Sequence, residues 1–252
     1  MKYIGIVVAM EEEKQEILNL MTEIEEKQIY NLNFIIGKIK KKNCVLVESG
    51  IGKVNAARTT QILIDNFDLE CVINEGAAGA INYSLNIGDV VIAKHVVQHD
   101  FDISAFGHNQ GYITGIGDNI ICDQQLISIF EEIINKMQEN DFQIKLGVVA
   151  SGDVFCTQIE MKEHINIKFN ADVVDMECAA IAQVCYLDNI PFISIRCISD
   201  IPNGSNETTF DENLDLASKR CANIVNEFCS WKIRIYNYSD KTSKLFYKKL
   251  IN

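Results

Sequence analysis

The 252-residue sequence has few of the features that mark membrane, secreted or multidomain proteins. No apolar run reaches the length of a membrane span, and the apolar start leads into three consecutive glutamates without a small-residue cleavage site. There are only two prolines, and there is no Gly/Ser-rich linker or internal repeat. These absences predict one main domain, without a membrane partner, in the cytoplasm.

The sequence also lacks any recognisable metal-binding pattern. Its nine cysteines form no CxxC pair, and no histidine cluster lies near them at metal-ligand spacing. We therefore expect no metal, and we expect reduced thiols buried in the core of a protein from a reducing compartment.

Positive charge is scarce and unevenly placed. The formal net charge of −12 argues against nucleic acid as a partner, because a polyanion would be repelled. Residues 231–252 are the exception, with six basic residues and Asp240 as the only acid. We predict a main domain over residues 1–232 and a solvated basic tail over residues 233–252.

Short runs rich in valine and isoleucine alternate with longer stretches of helical spacing. The predicted strands are 3–9, 34–39, 44–47, 71–74, 90–92, 145–149, 173–176 and 192–198. The predicted helices are 12–21, 54–66, 123–139, 177–187 and 212–228. This alternation predicts a single α/β domain with a central mixed, largely parallel β-sheet flanked by helices.

Ligands of such sheets bind in the loops that follow the strands. Six polar or glycine-rich clusters lie there, at 10–13, 49–53, 75–79, 151–155, 176–177 and 199–200. Each has an ordinary interpretation by itself. The three glutamates suit a solvated first helical turn, and SGIGK suits a glycine turn before a helix. EGAAGA suits a tight turn. Glu177 suits the start of a helix, and Asp200 suits a helix cap.

Taken together and in order, these clusters resemble one family. The matching segments are IGIVVAMEEE, ESGIGKVNAA, NEGAAGA, IGDVVIA, HDFDISAFG, SGDVF, VVDMECAAIA and IRCISD, within about residues 3–232. They are similar to the 5′-methylthioadenosine/S-adenosylhomocysteine nucleosidases of the purine nucleoside phosphorylase superfamily. The resemblance implies a nucleoside phosphorylase/hydrolase-like fold and cofactor-free hydrolysis of the N-glycosidic bond of those two nucleosides. The products would be adenine and a 5′-thio-substituted ribose, as in methionine salvage, with 5′-deoxyadenosine as a further candidate substrate.

The resemblance assigns two catalytic residues. Asp200 matches the acid that protonates the purine, with Ser199 holding it in place, and Glu13 matches the base that positions and deprotonates water, with Arg196 as its cationic partner. An ordinary aspartate is a poor proton source at neutral pH, so the site should desolvate Asp200 and raise its pKa. The apolar residues expected to do so are Ile198, Ile201 and Phe155.

The resemblance also assigns substrate contacts. Glu177 matches the acceptor of both ribose hydroxyls, Met176 the residue beneath the sugar, Phe155 the ring that stacks on adenine, and the Cys156 backbone the reader of its edge. The thioether side would meet Met10, Ile51 and Phe210. A homodimer is implied, in which Ile103 and Phe106 complete the partner's site.

Three positions depart from the family pattern. Ala77 stands where a serine that helps hold the water and sugar region is usual, and Asp175 stands where glutamate usually precedes the Met-Glu pair. Glu75 replaces a small residue and adds a charge close to the site. Slower turnover or a shifted substrate preference would follow from such changes.

Four other functions are weighed against this one. A phosphorylase needs cations for phosphate, but the chain has only four arginines, none of them in the first 57 residues. A hydrolase of another nucleoside, such as a futalosine-like compound, stays open, as does a nucleoside-binding protein that has lost its chemistry. A dinucleotide-binding Rossmann protein would need GxGxxG after the first strand, where this chain has MEEE.

Overall fold

The computed structural model describes residues 1–137 and 141–231. Within these ranges the strands are β1 (Tyr3–Val8), β2 (Thr22–Ile29), β3 (Leu32–Ile39), β4 (Lys42–Glu48), β5 (Leu69–Ala80), β6 (Val90–Gln98), β7 (Ile120–Ile121), β8 (Ile144–Ser151), β9 (Val173–Asp175) and β10 (Phe192–Asp200). The helices are α1 (Glu11–Leu18), α2 (Lys53–Asn66), α3 (Gln124–Lys136), α4 (Ile159–Phe169), α5 (Cys178–Leu187) and α6 (Glu207–Ser230). A 3₁₀ turn covers Ser104–Phe106. The predicted tail over 233–252 lies outside the described residues.

All ten strands belong to one mixed sheet, in the order β10-β6-β8-β9-β5-β1-β4-β3-β2, with β7 paired to β6. Strand β1 is parallel to both β4 and β5, and β5 is parallel to β10. Strand β10 also pairs with β6, so β5, β10, β6, β8 and β9 close into a ring of strands. The ring brings the segments that follow these strands close together.

Helices cover both sides of the sheet. Helices α1 and α6 pack on each other, and α6 lies on β5 and β10, while α2 packs on α5, which contacts β6 and β8. The apolar residues of the strands form the core between these layers. All nine cysteines are buried free thiols, eight of them in this core and Cys156 in a smaller apolar cluster. The predicted single α/β domain with a helix-flanked sheet is confirmed.

Each of the eight predicted strands is present, and the errors lie in segments with weak apolar patterns. Strand β2 was not predicted, because its sequence TEIEEKQI is charged and almost wholly exposed. Helix α4 was not predicted either, since it buries only Lys162 and Ile165. The interpretation of EGAAGA as a turn was wrong: those residues continue β5, which pairs with β10 along this stretch. Among the described residues, no helix is both long and apolar enough to cross a membrane.

Candidate active site

Glu13 lies in the first turn of α1, where acidic residues favour the start of a helix. Its carboxylate is buried and turned back toward the sheet. Oε2 accepts the backbone N–H groups of Ala9 and Met10 at 2.8 and 3.1 Å, and Oε1 accepts the N–H of Ala77 at 3.0 Å. Residue 77 therefore binds Glu13 through its backbone N–H, and an alanine donates this bond as well as a serine would.

Gly76 is required by this close approach. A Cβ atom placed there would lie 2.4 Å from Glu13 Oε1 and 2.6 Å from Arg196 Nη1. Since both distances are far shorter than a van der Waals contact, a side chain at position 76 would displace the carboxylate, the guanidinium or both.

Arg196 is fully buried on β10 and anchored from two directions. Its Nη2 pairs with Asp175 Oδ2 at 2.5 Å and also donates to Asn74 Oδ1. Asp175 in turn accepts the Ser151 hydroxyl and the backbone N–H of Cys178. The aspartate at position 175 thus reaches the arginine and joins it to the start of α5. Asn74 was not predicted as a site residue, since it ends a strand whose pattern suggested only core packing. Ser151 begins one of the predicted polar clusters, but it was given no role.

Glu13 and Glu177 both approach Arg196 in a buried setting. Burial raises the pKa of Glu13, although Arg196 and three backbone N–H groups oppose the shift. Burial, followed by the charge of Asp175, raises the pKa of Glu177 to about 7, against the opposing effects of Arg196 and the Gly52 N–H. That N–H donates to Glu177 Oε1 at 2.8 Å.

Asp200 ends β10 at the other side of the site and is buried. The Ser199 hydroxyl donates to its Oδ1 at 2.8 Å, and the Asn206 side-chain amide donates to its Oδ2. Asn206 also donates to the backbone carbonyl of Cys156 at 3.1 Å. Burial raises the pKa of Asp200, while the bonds from Asn206 and Ser199 lower it. Asn206 was missed from the sequence, because an asparagine in a polar loop before a helix is usually a local cap.

A cavity beside Asp200 gathers several of the predicted substrate-binding residues. It is lined by Gly79, Val154, Phe155, Cys156, Val174, Asp175, Met176 and Asp200. The ring of Phe155 packs edge-on against Phe210, with centroids 5.6 Å apart. The purine-side residues predicted from separate segments therefore lie together in space.

The residues predicted for the thioether side are more open. Met10 is half-buried, whereas Ile51 is 52% exposed in the loop before α2. Ile103 directly precedes the 3₁₀ turn and Phe106 ends it. Phe106 is 82% exposed and does not line the cavity of the single chain.

Glu75 is a further acid close to the site. It is completely buried on β5, and within the described residues neither of its oxygens has a hydrogen-bond partner. Burial raises its pKa well above the usual range, and the charge of Glu13 adds to the shift, which Arg196 opposes. Glu75 therefore favours its protonated form more strongly than an ordinary glutamate does.

Comparison with known proteins relates this chain to one group of enzymes. The family model for the phosphorylase superfamily matches residues 3–230. The 5′-methylthioadenosine/S-adenosylhomocysteine nucleosidase of Staphylococcus carnosus (strain TM300) is 40% identical over 225 residues, which cover 89% of this chain and 97% of that protein.

Solved structures give the same result. The nucleosidase of the same name from Colwellia psychrerythraea 34H, in complex with adenine, has a TM-score of 0.87 and 33% identity, covering 91% of this chain and 95% of that one. The futalosine hydrolase of Helicobacter pylori strain 26695 has a TM-score of 0.86 and 33% identity, covering 91% and 97%. With curated and solved relatives alike matched over nearly their full length, this chain belongs to the phosphorylase superfamily and, within it, to the 5′-methylthioadenosine/S-adenosylhomocysteine nucleosidase family.

Proposed function

We propose that this protein hydrolyses the N-glycosidic bond of 5′-methylthioadenosine and S-adenosylhomocysteine, releasing adenine and the 5′-thio-substituted ribose. 5′-Deoxyadenosine is a further candidate substrate. The observation that carries the proposal is a pair of buried acids in contrasting environments. Asp200 has only neutral hydrogen-bond donors, whereas Glu13 has three backbone donors and faces a buried arginine.

Asp200 is the group suited to give a proton to the leaving purine. Its raised pKa keeps a larger fraction of the carboxyl protonated than an ordinary aspartate would have. Ser199 and Asn206 fix its orientation toward the cavity. A positioned acid of this kind contributes about 10²–10⁴-fold to a rate. Phe155 would stack on the purine ring, with the Cys156 backbone at its edge, and Phe210, which packs against Phe155, would meet the thioether side.

Glu13 is the group suited to activate water. The N–H groups of Ala9, Met10 and Ala77 fix both carboxylate oxygens, and Arg196 favours the charged form, so the base is preorganised beside the sugar. As the purine leaves, positive charge develops on the ribose, which the neighbouring carboxylates stabilise. The proton of the attacking water passes to Glu13, while the purine nitrogen takes the proton of Asp200.

Glu177 would bind the ribose. The Gly52 N–H holds one of its oxygens, and Met176, which precedes it, lines the cavity and would pack beneath the sugar. A carboxylate that accepts two hydroxyls fixes the ring against the water held by Glu13.

The apolar surface around the thioether side supports a homodimer. Ile51 and Phe106 are large, apolar and exposed in the single chain, as expected of residues that a second copy covers, with Ile103 beside them. We propose that Ile103 and Phe106 complete the partner's 5′-binding region. Its nine buried free thiols favour a cytoplasmic location, because thiols stay reduced there. In the cytoplasm the protein would act in methionine salvage.

A second candidate substrate is a futalosine-like nucleoside, because a futalosine hydrolase is a close structural neighbour. Phosphorolysis is less well supported, since Arg196 is already paired with Asp175 and faces two more carboxylates.

The test is release of adenine, followed by liquid chromatography, from methylthioadenosine, adenosylhomocysteine and 5′-deoxyadenosine, with futalosine tested for release of its own base. Each reaction is run in phosphate-free buffer with a chelator and again with phosphate. We expect adenine from the thio-nucleosides at equal rates in both buffers. A strict phosphate requirement, or futalosine as the sole substrate, would overturn the proposal.

A further inference from the structure

Three loops near Glu177 are tied together by a closed set of hydrogen bonds. Lys53 Nζ donates to Asp100 Oδ1 at 2.6 Å and to Gln98 Oε1 at 3.2 Å. Asp100 Oδ2 accepts the backbone N–H of Asp153 at 2.9 Å, and Asp153 Oδ1 accepts the backbone N–H of Lys53 at 2.8 Å. We call Lys53, Asp100 and Asp153 the loop clasp. It joins the start of α2 to the segments after β6 and β8.

The clasp lies next to the contact that holds Glu177. Gly52 is the N-cap of α2 and has a positive φ of 99°, so the first N–H groups of the helix point out of its end. Two carboxylates use them: Glu177 Oε1 accepts from Gly52, and Asp153 Oδ1 accepts from Lys53. Because only the φ and ψ torsions of Gly52 separate the two N–H groups, fixing the Lys53 amide restricts the directions open to the Gly52 amide.

We propose that Lys53, Asp100 and Asp153 are positioning residues for ribose binding, which act on Glu177 through the Gly52 N–H group. The inference rests on the proposed function, because it takes Glu177 as the ribose acceptor. With Oε1 held by Gly52, Oε2 keeps a fixed direction toward the hydroxyls. Without the clasp, the Gly52–Lys53 peptide keeps the bond from the Ala56 N–H to the Gly52 carbonyl but loses its Asp153 acceptor, which loosens the Gly52 N–H that holds the carboxylate.

The clasp should also affect the titration of Glu177. The charged groups that face Glu177 are Asp175 on β9, Arg196 on β10 and Glu13 on α1. Its pKa of about 7 already reflects burial and Asp175, against Arg196 and the Gly52 N–H. Losing that N–H donor removes a group that favours the charged form, so the pKa would rise further. A protonated Glu177 is a poorer acceptor, and the acid limb of the pH profile of kcat/KM would move to higher pH.

Two substitutions at one position separate this role from general packing. Asp153→Ala removes the acceptor of the Lys53 N–H, whereas Asp153→Asn keeps an oxygen in the same place. Asp100→Asn replaces one of the two carboxylate oxygens with an N–H donor, so the side chain can no longer accept from both Lys53 Nζ and the Asp153 N–H. Glu227→Gln, which disrupts the exposed Lys136–Glu227 ion pair far along the chain, is the control for loss of a surface charge.

The experiment measures kcat and KM for methylthioadenosine between about pH 5.5 and 9, together with calorimetric binding of adenosine and adenine. For Asp153→Ala and Asp100→Asn we expect KM to rise about threefold to tenfold, the usual worth of one hydrogen bond, with the acid limb shifted upward. Asp153→Asn and Glu227→Gln should stay within about twofold of wild type. Adenine binding should be unchanged in all four, which shows that the fold is intact.

The outcomes distinguish the clasp from the function. A normal KM and pH profile in Asp153→Ala would overturn the positioning role of the clasp but not the proposed function. Equal loss of adenine and adenosine binding in that variant would do the same. If wild type binds adenosine but hydrolyses nothing, the proposed function fails, and weaker adenosine binding by Asp153→Ala still supports the clasp. A wild-type protein that binds neither ligand would overturn both.

Discussion

Replacing Glu75 with glutamine should make the protein less sensitive to rising pH. Glu75 is completely buried, and burial raises its pKa well above the ordinary value of 4.5. The folded protein therefore keeps a proton that the unfolded chain releases once the pH passes that ordinary value. Such a group stabilises the fold most at low pH, and its contribution is lost as pH rises toward the folded pKa.

The size of the effect follows from the linkage relation. One proton held only by the folded state costs about 1.4 kcal/mol of unfolding free energy for each pH unit above the unfolded pKa. Over the pH range in which the folded protein keeps this proton, wild type should thus lose stability relative to Glu75→Gln at up to about 1.4 kcal/mol per pH unit. The amide has unpartnered N–H groups of its own, which cost about 1–3 kcal/mol at every pH, so the slope is the quantity to compare.

The assay is urea unfolding of both proteins at pH 5, 6 and 7, at one fixed protein concentration and ionic strength. Glu25→Gln, on the exposed strand β2, is the matched control. The difference between Glu75→Gln and wild type should grow steadily with pH, whereas the Glu25→Gln curve should run parallel to wild type. Parallel curves for all three proteins would refute the idea that Glu75 is held neutral.

Four further predictions concern activity. Asp200→Asn should lose at least about 10²-fold in kcat with a much smaller change in nucleoside affinity, because the amide cannot give up a proton; near-normal turnover would exclude Asp200 as the acid. Glu13→Gln should lose kcat similarly in the same steady-state assay, for want of a base. Gly76→Ala should lower kcat at least about tenfold, since its Cβ would lie 2.4 Å from Glu13 Oε1; unchanged kinetics would contradict the packing. A chain ending at Lys232 should release adenine at the wild-type rate and should remain a dimer by light scattering at low and high salt. A monomeric or inactive truncated protein would show that the basic tail is part of the fold.

Much of the site was predictable because its residues follow strands and carry distinctive chemistry. Glu13, Glu177 and Asp200 are acids directly after or at the end of apolar runs, an arrangement that the family resemblance made specific. The eight apolar strands were predictable for the same reason, since burial on both faces selects valine and isoleucine.

The remainder depends on contacts between distant segments, which no local pattern encodes. Asn206 lies six residues after Asp200 in sequence, but its role follows from bonding Asp200 and the Cys156 carbonyl together. From the sequence Glu75 is an extra charge close to the site, but the packing of β5 encloses it and raises its pKa. Strand β2 forms by pairing with β3 and not by burying its own side chains, so its charged sequence gives no sign of a strand.

The measurement that tests the central claim most directly is identification of the sugar product. The purified protein is incubated with 5′-methylthioadenosine in phosphate buffer, and the products are separated and analysed by mass spectrometry. Under the proposal, Glu13 activates water, and Arg196 is already paired with Asp175 and does not bind phosphate, so we expect adenine and free 5-methylthioribose. A sugar 1-phosphate, or intact nucleoside after prolonged incubation, would contradict it.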